Sequence, residues 1–135
     1  MATLQLRVLT QERTVVSKEV EYVKLPGKDG SFGIMSGHAP LMAPLEMGIV
    51  EFGPREGKKR KVALGGGFVE MRDNQLTVLA RTAELDEEID VLRAREAKER
   101  AERRLAESRD EIDYHRARLA LQRALLRLKV AEPER

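Results

Sequence analysis

All ten glycines of this 135-residue chain lie at or before Gly67, and none follows. Four of the five prolines, Pro26, Pro40, Pro44 and Pro54, fall in the same stretch, and only Pro133 lies beyond it. Gly and Pro supply the backbone geometry that tight reversals need. The first part of the chain is therefore confined to short elements bounded by turns, and the remainder to long uninterrupted ones. The change of grammar divides the chain into a domain spanning 1–84 and a second spanning 85–135.

Between the turns, apolar residues alternate: Leu4, Leu6 and Val8; Val20 and Tyr22, with Val23 out of step; Ile49, Val50 and Phe52; Val62 and Leu64; Phe68, Val69 and Met71; Leu76 and Val78. Period-2 runs bounded by Gly, Pro, Asp and Asn predict half-buried strands. Asp73-Asn74, between Met71 and Leu76, predicts a hairpin turn. Several closely spaced strands without a helical run among them predict an all-β sandwich or flattened barrel over residues 1–84.

From Leu85 onward, 26 of 51 residues are charged, 13 basic and 13 acidic, with no glycine among them. This predicts solvated helix. Asp86 is a candidate cap, followed by Glu87, Glu88 and Asp90 near the positive helix end. Ser108-Arg109-Asp110-Glu111 has the form of a capping box and predicts a second start. The expected product is an antiparallel two-helix hairpin of roughly 87–106 and 109–130, by cap and periodicity.

At 100° per residue, Ala94, Ala97, Ala101 and Leu105 share one face of the first helix, with Ile89, Arg93, Arg100 and Arg104 in the adjoining sector. In the second, Ala117, Leu121, Ala124, Leu125 and Leu128 share a face. Arg116, Arg123 and Arg127 lie together on another, beside a second stripe of Ile112, Leu119, Leu126 and Val130. Two readings stay open. Either one stripe seals the hairpin, the other packs on the sandwich and the arginines solubilise, or arginines of both helices form one phosphate-binding pocket with apolar cover for a base.

Composition excludes several function classes. A net charge of +2 makes no case for nucleic acid. The absence of Cys removes disulfides, thiolate nucleophiles and Cys-ligated metals. No apolar run reaches the ~18 residues of a membrane span, and Met1-Ala2-Thr3-Leu4 does not open a signal peptide, so a cytoplasmic protein is expected. His38 and His115 lie far apart and lack the neighbours of a metal site. Gly65-Gly66-Gly67 is not followed by Lys-Ser/Thr and reads as a bulge or close packing rather than a phosphate loop. Lys58-Lys59-Arg60-Lys61 reads as a solvated hairpin tip or, alternatively, a contact for polar loops of a partner or for acidic lipid. No nucleophile–base pair or metal cluster can be assembled, so no enzyme is expected.

Ile34-Met35-Ser36-Gly37-His38-Ala39-Pro40-Leu41, then Gly66-Gly67-Phe68-Val69-Glu70, then a charged C-terminal hairpin: in this order the chain resembles the epsilon subunit of bacterial F-type ATP synthase over essentially its full length. The resemblance implies a non-catalytic subunit of the rotating central stalk. Its sandwich would be bound to the gamma subunit and seated on the c-ring, peripheral to the cytoplasmic face of the cell membrane. It also implies a hairpin that folds down beside the sandwich or extends along gamma towards the alpha and beta subunits, where it inhibits ATP hydrolysis.

Ile89-Asp90-Val91-Leu92-Arg93-Ala94 is in turn similar to the I/L-D-x-x-R-A nucleotide motif of epsilon subunits from bacilli. That likeness implies ATP as a regulatory ligand held by Glu84, Ile89, Asp90, Arg93, Ala94, Arg100, Arg123 and Arg127. The arginines would take the phosphates, and Asp90 and Glu84 would accept hydrogen bonds from base or ribose or orient the arginines. A free-standing ATP-sensing module is the alternative function.

Overall fold

The computed structural model describes residues 2–132. They form two compact units that divide between Asp86 and Glu87, two residues after the sequence-based border. The offset has a local cause: the last strand runs to Leu85, and Asp86 is bonded back to the strand beside it.

The first unit contains β1 (Leu4–Leu9), β2 (Thr14–Val20), β3 (Tyr22–Gly27), β4 (Gly30–Met35), β5 (Leu41–Gly53), β6 (Arg60–Arg72), β7 (Gln75–Ala80) and β8 (Ala83–Leu85). Strand order is β2-β1-β7-β6-β5-β3-β4, with β8 paired to the far half of β6. All pairs are antiparallel except β1 with β7. Inward residues of every strand, among them Leu6, Val23, Ile34, Val50, Leu64, Met71 and Val78, join one continuous core, so the sheet closes on itself as a sandwich. Val23 is out of step with Val20 because Glu21 ends one strand and a new one begins at Tyr22 with the opposite inward parity.

The long strands β5 and β6 change their inward parity midway. Leu45 is buried in the first half of β5 and Val50 and Phe52 in the second; on β6 the buried set runs Val62, Leu64, then Val69, Met71. Side chains alternate with period 2, so each strand must rotate to bring its other set inward. Gly48 and Gly65-Gly66-Gly67 sit at this change. There Arg81 and Thr82 bend between β7 and β8 while keeping the register of β6, Gly65 N–H donating to Thr82 O (2.8 Å) and Arg81 N–H to Gly66 O (2.9 Å). Gly67 has φ +151°, and a Cβ there would collide with the Leu79 carbonyl oxygen. The parity change also turns Phe68 outward, 58% exposed, while Val69 is buried. Asp73 (φ 52°) and Asn74 (φ 59°) make the β6–β7 turn as the sequence predicts.

The second unit holds α1 (Val91–Glu107) and α2 (Glu111–Ala131). Two cap expectations are corrected. Asp86 does not cap α1; it opens a 3₁₀ turn, Asp86–Glu88, and its carboxylate is taken by Arg60 and the Lys61 N–H. The cap is Asp90, whose Oδ1 accepts from Arg93 N–H at 3.1 Å. Ser108 does not cap α2, because its hydroxyl donates to Leu105 O (2.9 Å) at the end of α1; Asp110 accepts from Asp113 N–H (2.8 Å) instead.

Ala94, Ala101, Ala117 and Ala124 are all at most 3% exposed. With the chain reversing about Arg109, Ala101 stands level with Ala117 and Ala94 with Ala124. The hairpin is thus closed by small residues, which let two helices approach. Leu92 (69%), Ile112 (65%) and Leu125 (45%) remain exposed.

Candidate functional site

Alanines form the seam, so the longer side chains flanking it stand along its edges. On one side, near the hairpin turn, Arg104, Glu107 and Ser108 of α1 and its end face Asp113, Arg116, Leu119, Ala120 and Arg123 of α2 across a groove of about 530 Å³. Three guanidinium groups from two helices therefore meet two carboxylates and a half-buried apolar side, Leu119. None of Arg104, Arg116 and Arg123 forms an ion pair with another described residue. A guanidinium keeps its charge at any physiological pH and presents paired N–H donors, which suits a polyphosphate.

The residues that the nucleotide motif implies are distributed as follows. Glu84 is half-buried on β8, in the first unit. Ile89 is buried at 7% just before α1. Asp90 is the exposed N-cap, Arg93 is exposed in the first turn, and Ala94 is sealed in the alanine seam. Arg100 is exposed near the middle of α1. Arg123 lines the groove, and Arg127, half-buried, lies one turn further along α2. Distance from the turn sets Arg123 level with Arg95 and Arg127 level with Val91, beside Asp90 and Arg93. Arg123 is thus the one motif-implied residue on the groove, while Arg104 and Arg116, which line it, were visible only as members of the basic helix sectors.

The first unit carries a second concavity of about 240 Å³ on the outer face of β5, β6 and β7, lined by Met42, Phe68, Val69, Glu70, Thr77 and Leu79. Met42 (74%), Phe68 and Leu79 (58% each) are exposed there. Local alternation hid this patch because Phe68 reads as inward until the parity change is known.

No group of three or more His, Asp or Glu residues able to hold a metal ion occurs among the described residues. No helix among them is long and apolar enough to cross a membrane.

Residues 3–86 match the family model for the ATP synthase delta/epsilon chain β-sandwich domain, and residues 87–132 the model for the long α-helix domain of the same chain. The two matches meet where the two compact units divide. The chain belongs to the ATP synthase epsilon family. It is 48% identical over 103 residues to the ATP synthase epsilon chain of Desulfitobacterium hafniense strain Y51, covering 76% of this chain and 77% of that one. The epsilon chain of Moorella thermoacetica is 49% identical over 105 residues, 78% of each chain.

Among solved structures, a chain of the Euglena gracilis mitochondrial ATP synthase, in an OSCP/F1/c-ring assembly, superposes with a TM-score of 0.78 at 26% identity, covering 97% of this chain and 82% of that chain. A chain of the Tetrahymena thermophila mitochondrial ATP synthase central stalk and c-ring shares the fold, with a TM-score of 0.58 at 11% identity over 95% of this chain and 96% of that one. The epsilon chain is a non-catalytic subunit of the synthase central stalk, and this sequence has the two-part build of that family.

Proposed function

We propose that this epsilon chain couples rotation through its sandwich, bound to the gamma subunit and seated on the c-ring at the cytoplasmic face of the membrane, and regulates ATP hydrolysis through an ATP-responsive hairpin. The observation that carries the regulatory reading is the groove whose arginines come from both helices. A phosphate-binding surface assembled from α1 and α2 exists only while the two helices are folded together. The resemblance to the nucleotide motif puts ATP on this same hairpin, with Arg93, Arg100, Arg123 and Arg127 on the phosphates and Asp90 and Ile89 about the nucleoside; Arg123 is the member of that set that also lines the groove, and bound ATP stabilises the compact hairpin. It draws population away from an extended form that reaches the alpha and beta subunits and blocks hydrolysis. The exposed Leu92, Ile112 and Leu125 support this reading, as apolar side chains free to take a different partner in the extended form.

Titration of the full chain with ATP tests the site. A saturable spectroscopic change, weakened by Arg93→Ala and by Arg123→Ala, is expected; no saturable change, or an unaltered one in both variants, removes it. Hydrolysis by the reconstituted catalytic head, measured with full-length protein and with residues 1–86, tests inhibition. Equal rates at low ATP would remove the inhibitory role and leave the stalk role standing.

A further inference from the structure

Strand register sets two rows of side chains side by side on β6, β7 and β1. Glu70, Thr77 and Arg7 form one row, and Phe68, Leu79 and Leu9 the next. Val69, Val78 and Val8, which lie between the rows along each strand, are buried. Side chains alternate between the two faces of a sheet, so both rows point outward.

The second row is apolar throughout. Phe68 and Leu79 are 58% exposed and Leu9 is half-buried, and the concavity of about 240 Å³ opens beside them, rimmed on β5 by Met42. A continuous exposed apolar row across adjacent strands marks a surface that takes a partner.

The first row indicates which partner. Glu70 and Arg7 flank Thr77, one strand to each side, and are about 10 Å apart at the ~4.8 Å spacing of strands. Both are exposed, and neither forms an ion pair with another described residue. An acid and a base set symmetrically about one strand make this face its own complement. A twofold axis lying in the plane of contact along β7 turns β6 of one copy onto β1 of the other. Glu70 then meets the partner's Arg7, Phe68 meets the partner's Leu9, and Leu79 meets its own counterpart. One operation covers the apolar row and neutralises both charges.

We propose that the outer face of β6, β7 and β1 pairs with a second copy of this chain in a twofold dimer whose register is set by reciprocal Glu70–Arg7 contacts. The pairing is a property of the chain by itself and does not depend on the stalk reading. Its extent sets its strength. A face five strands wide and about six residues long measures roughly 20 Å each way, at the small end of specific interfaces, so the dimer forms reversibly.

Sedimentation equilibrium of the full chain, from micromolar to millimolar concentration, tests the proposal. Wild type should pass from monomer to dimer. Glu70→Arg sets guanidinium against guanidinium and should weaken association about tenfold or more; Leu79→Lys, which brings two ammonium groups together at the axis, should do the same. Arg7→Glu combined with Glu70→Arg exchanges the charges and should restore wild-type association. All three positions are exposed, so thermal melting of the sandwich should be unchanged in each variant. A chain that stays monomeric at every concentration overturns the proposal. So does a dimer indifferent to Glu70→Arg and Leu79→Lys, as one formed through Leu92, Ile112 and Leu125 of the hairpin would be, and so does a charge-exchanged variant that fails to recover. A monomer whose Leu79→Lys variant loses binding to purified gamma subunit would assign the face to that partner and overturn it as well.

Discussion

Arg60 and Asp86 meet at 2.7 Å where the first unit ends, the guanidinium Nε and Nη2 both directed at one carboxylate. The same carboxylate accepts the Lys61 N–H at 3.0 Å, so Asp86 closes the end of β6 and ties down the last residue before the second unit. Arg60, read from sequence as part of a solvated basic tip, is only 38% exposed at its side chain and is structural. Asp86→Ala should cost about 1–2 kcal/mol, the lower part of the range for charge-assisted bonds because water still reaches the pair. Asp86→Asn, which keeps an acceptor for Lys61, should lose less. Urea unfolding followed by a sheet signal checks this, and equal stability of all three proteins would show the pair to be inert.

Gly67 is the position at which the sandwich should be least tolerant of a methyl group. Its φ of +151° and the Leu79 carbonyl in the path of a Cβ act together, so Gly67→Ala should destabilise by about 2 kcal/mol or more. Gly30, also at positive φ but with open space around it, provides the control for backbone strain without collision. The midpoint of denaturation should fall further for Gly67→Ala than for Gly30→Ala, and the reverse order would refute the packing argument.

The alanine seam predicts a steep size dependence. Ala101→Leu places a branched side chain where the helices approach through Cβ atoms at 1% exposure, and overpacking of this kind costs about 1–3 kcal/mol. Ala106→Leu, on an exposed position of the same helix, should be close to neutral. Helical ellipticity during thermal melting of the two variants distinguishes them; coincident melts would mean that the seam is loosely packed.

Asp90 carries a capping duty and a proposed ligand duty, and two substitutions separate them. Asp90→Ala should weaken α1 by about 1 kcal/mol through loss of the bond to Arg93 N–H. Asp90→Ser retains a capping oxygen and should restore the helix. If ATP binding falls in Asp90→Ala and returns in Asp90→Ser, the residue acts on the nucleotide only through the helix start; binding that stays low in both assigns the carboxylate itself to the ligand.

Much of the fold was legible because its signals are local. Strand alternation, the Asp73-Asn74 turn and the loss of glycine after Gly67 each act over a few residues, and they locate the strands and the hairpin. What escaped depends on partners far along the chain. Asp86 looks like a helix cap until Arg60 claims it, 26 residues away, and Phe68 looks buried until the rotation of β6 turns it out. Ser108 and Asp110 both fit a cap on type alone, and the choice is made by the Leu105 carbonyl competing for the serine hydroxyl. At the candidate site, periodicity grouped the arginines of each helix, but the level at which one helix meets the other selects Arg104, Arg116 and Arg123 for the groove.

The rotation of β5 and β6 also bears on how this small module withstands load. Each is a 13-residue strand that serves the core with both of its side-chain sets, roughly 43 Å of backbone at ~3.3 Å per residue. A twisting force applied at one flank is therefore carried to the opposite flank along continuous peptide bonds. Two separate sheets held only by side-chain packing could shear past one another; this body stiffens instead, as a subunit of a rotary central stalk must.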